Sequence, residues 1–410
     1  MNLFDATSIG IGAIIGAGIF VVLGIAIGYS GPAIIISMII AAMVASFTAF
    51  SFAELGSAIP KEGGAYEFAY EMTSPFVGFT VGCLWIFAQT VAGAAISLGF
   101  ASYFVAMFPS FSLKIVAVSA ALTLTALNLV GIKQSATVNN ILVLAKIVIL
   151  GLFIGVGIFH LNASNYSPFA PNGFSGVFQG AGFIFFAYLG FGRIATLGEE
   201  VKNPKRTLPL SILLALTISV IIYILAGFTA TGLQSYRILA HSGSPIADAA
   251  KVVGNSAIVT IISLGALIAT ASVLLTNLIG LSRVSFAMAR NEQLPKSMTK
   301  VYSKFGTPYI SILIMGALTA ALAVFFDLRQ TVAVTSFSIL SIHIVINYSA
   351  IRLRKKKNLK TFKTPFYPVI PSLGIVSCII LMFSLPHESW IIAAVVVILS
   401  SVYYLFRKRT

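Results

Sequence analysis

Segment 4–28 (FDATSIGIGAIIGAGIFVVLGIAIG) constrains this chain most. It is apolar, long enough to cross a bilayer, and interrupted by glycine in its middle. A spanning helix needs about 20 apolar residues to cover ~30 Å of hydrocarbon. Gly10, Gly12, Gly16 and Gly18 punctuate the segment, and glycine costs roughly 1 kcal/mol per helix position relative to alanine. Gly16-Ala17-Gly18 is therefore a natural place to unwind, and Ile14 to Ile19 is the expected break. Unwound backbone at membrane depth is tolerated only where it lines a cavity or is buried in protein. Its freed N–H and C=O groups are then ready to hold a polar ligand.

The remaining chain reads as scaffold around that break. Of its 410 residues 58% are hydrophobic and 9% charged, against about 25% charge in a soluble domain. This is the composition of a polytopic membrane protein. Segment 4–28 lacks a charged leader and a cleavage site, so it reads as a first span and not a signal peptide. Apolar runs give twelve candidate spans, roughly 4–28, 32–58, 75–107, 113–132, 135–160, 175–200, 207–233, 255–289, 308–326, 330–352, 367–385 and 389–406. An even number puts both termini on one side. Loops on that side carry 20 of the 26 basic residues and the opposite loops carry four. The positive-inside rule makes both termini cytoplasmic in a plasma membrane. The net charge of +15 is then a topology signal and a match to anionic lipid, not a nucleic-acid surface. Cys83 and Cys378 lie in apolar stretches and read as buried thiols without a disulfide framework. The four histidines are too scattered to suggest a metal site, and His343 reads as a polar helix contact.

Span six (FQGAGFIFFAYLGFGRIATLGEE) shares the peculiarity of span one, with Gly190 and Gly192 at its middle. Taking residues 1–160 and 161–352 as two five-span halves places the two interruptions at matching positions. Residues 353–410 then hold spans eleven and twelve and the C-terminus. Paired glycine-interrupted segments point to a midplane site in inverted-repeat transporters.

Four stretches carry a resemblance to a known family: IGAIIGAGIF (11–20), AELGSAIPKEGGAY (53–66), FFAYLGFGRIATLGEEVKNPKRTLP (185–209) and SRVSFAMARNEQLPKSMTKVYSKFGTP (282–308). In order and spacing the chain resembles the APC (amino acid-polyamine-organocation) family of amino acid permeases over nearly its whole length. The resemblance implies an all-α fold of the LeuT type. That fold has ten core helices in two inverted five-helix repeats with helices one and six broken, plus two further helices here. Within the family the chain looks closest to prokaryotic proton-coupled transporters of broad amino acid specificity. Lys146 in VNNILVLAKIVILGLF (138–153) carries that likeness; the resemblance maps it to the sodium position of sodium-coupled relatives.

An amino acid substrate is a zwitterion. The amides of Ala17 and Gly18, with Gly16 nearby, can donate to its α-carboxylate, aided by the dipole of the half-helix that starts near Ile19. Carbonyls at Ile14, Ile15, Phe186, Ala187 and Leu189 can accept from its α-ammonium. The resemblance assigns the same roles. The rival reading is that these glycines serve close helix packing, and packing is the expectation for Gly10 and Gly12. Phe191 is a candidate cap over the pocket, or an ordinary core ring. Gln89, Thr90 and Ala94 are candidate lining. The middles of spans one, three, six and eight hold no acidic residue, and Gly-Phe-Gly (190–192) replaces the Gly-Phe-Asp of relatives that handle cations. Small or apolar neutral amino acids are the expected substrates.

Lys146 is the expected coupling residue. Desolvation disfavours an ammonium in apolar helix, so it can gain and lose a proton during transport. Charged, it can bond span-one carbonyls near Gly12 and a span-eight hydroxyl such as Thr270 or Ser272. The rival reading is a lysine that snorkels to the interface, but it lies about 16 Å along the helix from Ser135 at 1.5 Å per residue. Arg193 is expected to pair with Glu199, Glu200 or Glu54, and its alanine variant to change stability more than selectivity. Its other reading is a residue of the cytoplasmic path that attracts substrate carboxylate, or a bias toward anionic side chains. Glu54, Lys61 and Gly63-Gly64 suit either a gate or a loop cap.

The expected function is secondary amino acid transport by alternating access, with proton symport through Lys146 and no cofactor beyond the proton. An obligatory exchanger shares this fold and needs internal substrate. A channel needs a continuous polar pore, and a membrane enzyme a nucleophile–base or metal pattern. A sensor binds amino acid without moving it.

Overall fold

The computed structural model describes residues 1–61, 63–131, 136–197, 200–356 and 361–407. It is helical throughout, with no β-strand among the described residues. The helices are α1 (Leu3–Ile14), α2 (Leu23–Ser30), α3 (Ile34–Ala58), α4 (Ala65–Met72), α5 (Pro75–Met107), α6 (Leu113–Leu129), α7 (Ala136–Gly157), α8 (Gly173–Ile184), α9 (Pro204–Leu233), α10 (Tyr236–Leu239), α11 (Pro245–Ala250), α12 (Ser256–Arg290), α13 (Tyr309–Phe325), α14 (Leu328–Lys356), α15 (Val369–Phe383) and α16 (His387–Arg407). Among the described residues, eight helical segments are long and apolar enough to cross a membrane, the first of them being Leu3–Ala58, which contains α1 to α3. Three shorter apolar helices, α6, α13 and α15, accompany them.

The outer helices expose large apolar side chains. Leu144, Val148, Ile391, Ile398 and Leu399 are all more than half exposed. Apolar surface on that scale needs lipid or protein against it. The inner helices are apolar all round because they are buried all round. The middle of α5 is solidly buried from Ala88 to Gly99.

Loop contacts sort the turns into two ends. At one end Lys202 N donates to Met1 O, Arg283 pairs with Glu200 and Arg354 pairs with Glu54. At the other, Ala33 N donates to Phe169 O, Asn172 Nδ2 to Tyr29 O and Lys114 Nζ to Phe326 O. The loops alternate between ends as the chain threads back and forth. The loop-cap reading suits Glu54. Its buried carboxylate takes Arg354 Nε at 2.6 Å and Nη2 at 3.1 Å, and Thr364 N at 3.0 Å. This joins α3 to α14 and to the segment before α15. Lys61, exposed just before α4, donates to Glu67 in the first turn of that helix and to Glu71 in its last.

Two helices are interrupted. The first helix starts with a capping box in which Asn2 Oδ1 accepts from Asp5 N and Asp5 Oδ2 accepts from Asn2 N. It stops at Ile14, Ile15 turns extended, and a π-helical turn over Gly18–Val22 leads into α2. The helical run therefore breaks where the glycines put it. Span six instead continues from α8 as a 3₁₀ helix over Phe185–Leu197. Such runs are uncommon beyond 3–4 residues and mark hinges or strain.

Candidate functional site at the crossing of the two interrupted helices

The two interruptions touch through backbone. A Cβ on Gly18 would lie 2.3 Å from Ala187 Cα, and one on Gly190 would lie 2.4 Å from Ile14 N. Both positions thus require glycine for close approach. Gly16 faces Val273 of α12, where a Cβ would meet Val273 Cγ2 at 2.5 Å. Gly10 and Gly12 serve packing, as expected: Gly10 faces Ile194 and Ala215, and Gly12 faces Val143 and Asn139 of α7.

Ending α1 at Ile14 orphans its last carbonyls. Two side chains meet them. Lys146 Nζ, on α7 and 2% exposed, donates to Gly12 O at 2.9 Å. Tyr223 Oη, fully buried on α9, donates to Ile14 O at 2.7 Å and lies 3.3 Å from Ala187 O. The ammonium sits where the helix dipole is negative, which favours a cation. Asn139 and Val143 share the face of α7 with Lys146, and small Gly12 lets that face come close. Asn139 reaches Ser8 Oγ at 3.4 Å and Asn140 reaches Asp5 Oδ1 at 3.2 Å. Lys146 is therefore turned inward and does not snorkel. Its expected hydroxyl partners are engaged elsewhere. Thr270 Oγ1 donates to Ala266 O and Ser272 Oγ to Ala269 O, each within α12.

A cavity of about 30 Å³ lies at the crossing. Ala17 and Gly18 of the first break, Phe186, Leu189 and Arg193 of the second, and Gln89 and Asn277 line it. The room suits two or three waters at about 10–15 Å³ each, so an amino acid needs the helices to part. A second cavity of similar size shares Gln89, Leu189 and Arg193 and runs past His343 to Gly63 and Ala65. It leads toward the end that holds the termini.

Several expected site residues stand apart from the central cavity. Ile15, Gly16 and Ala187 are buried beside it and do not line it. Phe191 does not cap it. Its ring is fully buried against Phe52 at 5.7 Å and His343 at 5.6 Å, as a core ring would be. The Thr90 hydroxyl turns back to Ile86 O, and Ala94 packs with Leu98 and Ala117. The carbonyls of Ile14 and Ala187, expected to face an ammonium, already receive Tyr223; each keeps a second lone pair. Glu54 and Glu200, expected partners of Arg193, are engaged by Arg354 and Arg283. Glu199 lies outside the described residues. Arg193 Nη1 donates to Thr276 Oγ1 at 3.1 Å.

A sequence profile for amino acid permeases matches residues 5–404. The chain belongs to the amino acid permease family. This permease is similar, at 35% identity over all of its length and 93% of the relative's, to a methylthioribose transporter of Bacillus subtilis (strain 168). It is 33% identical to a branched-chain amino acid permease of the same organism, again over all of this chain and 93% of that one. Cationic amino acid transporter 9, chloroplastic, of Arabidopsis thaliana is 33% identical, covering 74% of this permease and 57% of the plant protein. These relatives are transporters, and the permease is not an enzyme.

Tyr223, Thr276 and Asn277 are the site groups that the sequence reading missed. A hydroxyl in an apolar helix needs a partner, and that was the available signal for Tyr223. For Thr276 and Asn277, nothing in α12 alone distinguishes them from its other small polar residues.

Proposed function

We propose that this permease is a secondary active transporter that moves neutral amino acids by alternating access with proton symport. The reading includes twelve spans in two inverted five-helix repeats of the LeuT type, with both termini cytoplasmic. The α-carboxylate takes the Ala17 and Gly18 amides at the start of the second half of span one. The α-ammonium takes second lone pairs of the break carbonyls. The described lining of both cavities contains no acidic residue, which suits a neutral side chain.

One observation carries the coupling: Lys146 Nζ sits 2.9 Å from Gly12 O. Protonated, the amine donates a charge-assisted hydrogen bond to the end of α1 and holds it against α7. A bond to a charged group contributes about 1.5–3 kcal/mol and a neutral one about 0.5–1.5. Deprotonation therefore removes about 1 kcal/mol of that hold, which shifts a two-state ratio about fivefold. That is a modest bias, and the substrate's own contacts supply the rest.

The similarity to a methylthioribose transporter favours a second reading, a neutral thioether solute without an α-carboxylate. Uptake into proteoliposomes separates the two. The panel holds labelled leucine, alanine, methionine and methylthioribose, with and without an inward proton gradient, in empty and preloaded vesicles. Gradient-driven accumulation of an amino acid in empty vesicles is expected. Uptake only into preloaded vesicles makes the permease an exchanger, and uptake of methylthioribose alone supports the second reading.

A further inference from the structure

The second cavity is walled mostly by apolar side chains, Phe52, Trp85 and Ile342 among them. Gln89, Arg193 and His343 also line it. Gln89 meets the Asn277 side chain at 2.8 Å, and Arg193 donates to Thr276. His343, on α14, is 3% exposed, and its Nδ1 has no hydrogen-bond partner among the described residues. The large majority of buried polar side-chain atoms have a partner. An imidazole nitrogen without one, beside an apolar wall, is free to meet a solute.

The ring is held in place by other rings. Phe52 of α3 packs against it at 5.7 Å between ring centres, Phe185 at 5.7 Å and Phe191 at 5.6 Å. Phe185 and Phe191 are six residues apart in the 3₁₀ run, and at about three residues per turn they share one face. An α-helical course would set them about 120° apart. The 3₁₀ course of span six therefore also builds the cage around His343. The two cavities share Gln89 and Leu189, so a solute held by Ala17 and Gly18 lies one wall away from it.

A neutral imidazole carries one N–H donor and one nitrogen acceptor. A hydroxyl matches either, since it both donates and accepts. The apolar wall suits the carbon atoms of a short side chain. A site that bonds a substrate hydroxyl rejects the analogue that lacks it, because its own polar group is then left unpaired. We propose that the second cavity is a side-chain subsite and that His343 is a specificity-determining residue, which selects neutral amino acids bearing a hydroxyl. This selection rests on the amino acid transport reading above and narrows its substrate class.

The test compares threonine with valine, which match in shape and differ by a hydroxyl in place of a methyl. Each competes with labelled alanine, and separately with labelled leucine, for uptake into proteoliposomes holding the wild type, His343→Leu or His343→Asn. Threonine should inhibit the wild type more strongly than valine. In His343→Leu the threonine-to-valine ratio should fall at least about tenfold, the scale of one lost hydrogen bond, with valine inhibition kept within about threefold. Asparagine keeps a donor and an acceptor close to the Nδ1 position and should restore part of the ratio, which a packing role would not do. If His343→Leu does not fold, His343→Phe keeps the ring packing and is read in its place. An unchanged ratio in the folded apolar variant, the result if His343 holds only a water, overturns the role of His343 and leaves amino acid transport standing. A wild type that takes valine as well as threonine, or better, overturns it without any variant. If the wild type takes up no amino acid, the transport reading fails and this one with it.

Discussion

Lys146 and Tyr223 hold the end of α1 by different chemistry. The tyrosine hydroxyl is a neutral donor to Ile14 O, whereas the lysine amine donates to Gly12 O and, on the proposed reading, changes charge during transport. Tyr223→Phe leaves a buried carbonyl without its donor, and an unmet buried group costs about 1–3 kcal/mol. The variant should melt at lower temperature in detergent and still fold; an unchanged melting point would show that the hydroxyl holds nothing. Lys146→Arg keeps a permanent charge. It should bind substrate yet lose pH dependence, with net uptake reduced at least about tenfold if release of the bond is required. Uptake measured across a pH series checks this, and a wild-type profile in the variant would contradict it.

The two interrupted helices are one device, because each supplies the glycine that the other's backbone needs. Gly18→Ala and Gly190→Ala push backbone against backbone, and overpacking of that kind costs about 1–3 kcal/mol. Both variants should lose transport and stability together. Gly155 and Gly280, on α7 and α12, have nothing within 4 Å of an added Cβ. Their alanine variants should be neutral or gain up to about 1 kcal/mol from helix propensity. Parallel melts and uptake assays on all four read the difference; equal behaviour would remove the crossing as a constraint. At the termini end, Glu54→Ala strands Arg354 beneath Thr364 and should cost about 3–5 kcal/mol, as breaking a buried pair does. The break in span one was legible because glycine acts locally on helix stability. The 3₁₀ course of Phe185–Leu197 was not, because packing against α1, α3 and α9 imposes it. Phe191 was left open between cap and core ring for a related reason: its position in sequence gives its depth but not the direction it faces, which is toward Phe52 and His343.

Across the whole molecule, the apolar runs were legible because the bilayer sets the length of apolar helix. The contacts of Arg193 with Thr276 and Asn277 were not, since they come from a helix distant in sequence; Glu199, another expected partner, lies outside the described residues. Both cavities are small, so function requires the scaffold to open around a nearly closed crossing. On the proposed reading, transport is a choice between two arrangements that the proton on Lys146 biases.

The direct measurement is substrate-driven proton movement in proteoliposomes with a pH-sensitive dye trapped inside and no imposed gradient. Adding a transported neutral amino acid outside should acidify the lumen of wild-type vesicles. In Lys146→Ala vesicles that still bind the amino acid the dye signal should be flat. Acidification that survives in Lys146→Ala, or uptake by the wild type with no acidification at all, would contradict the account.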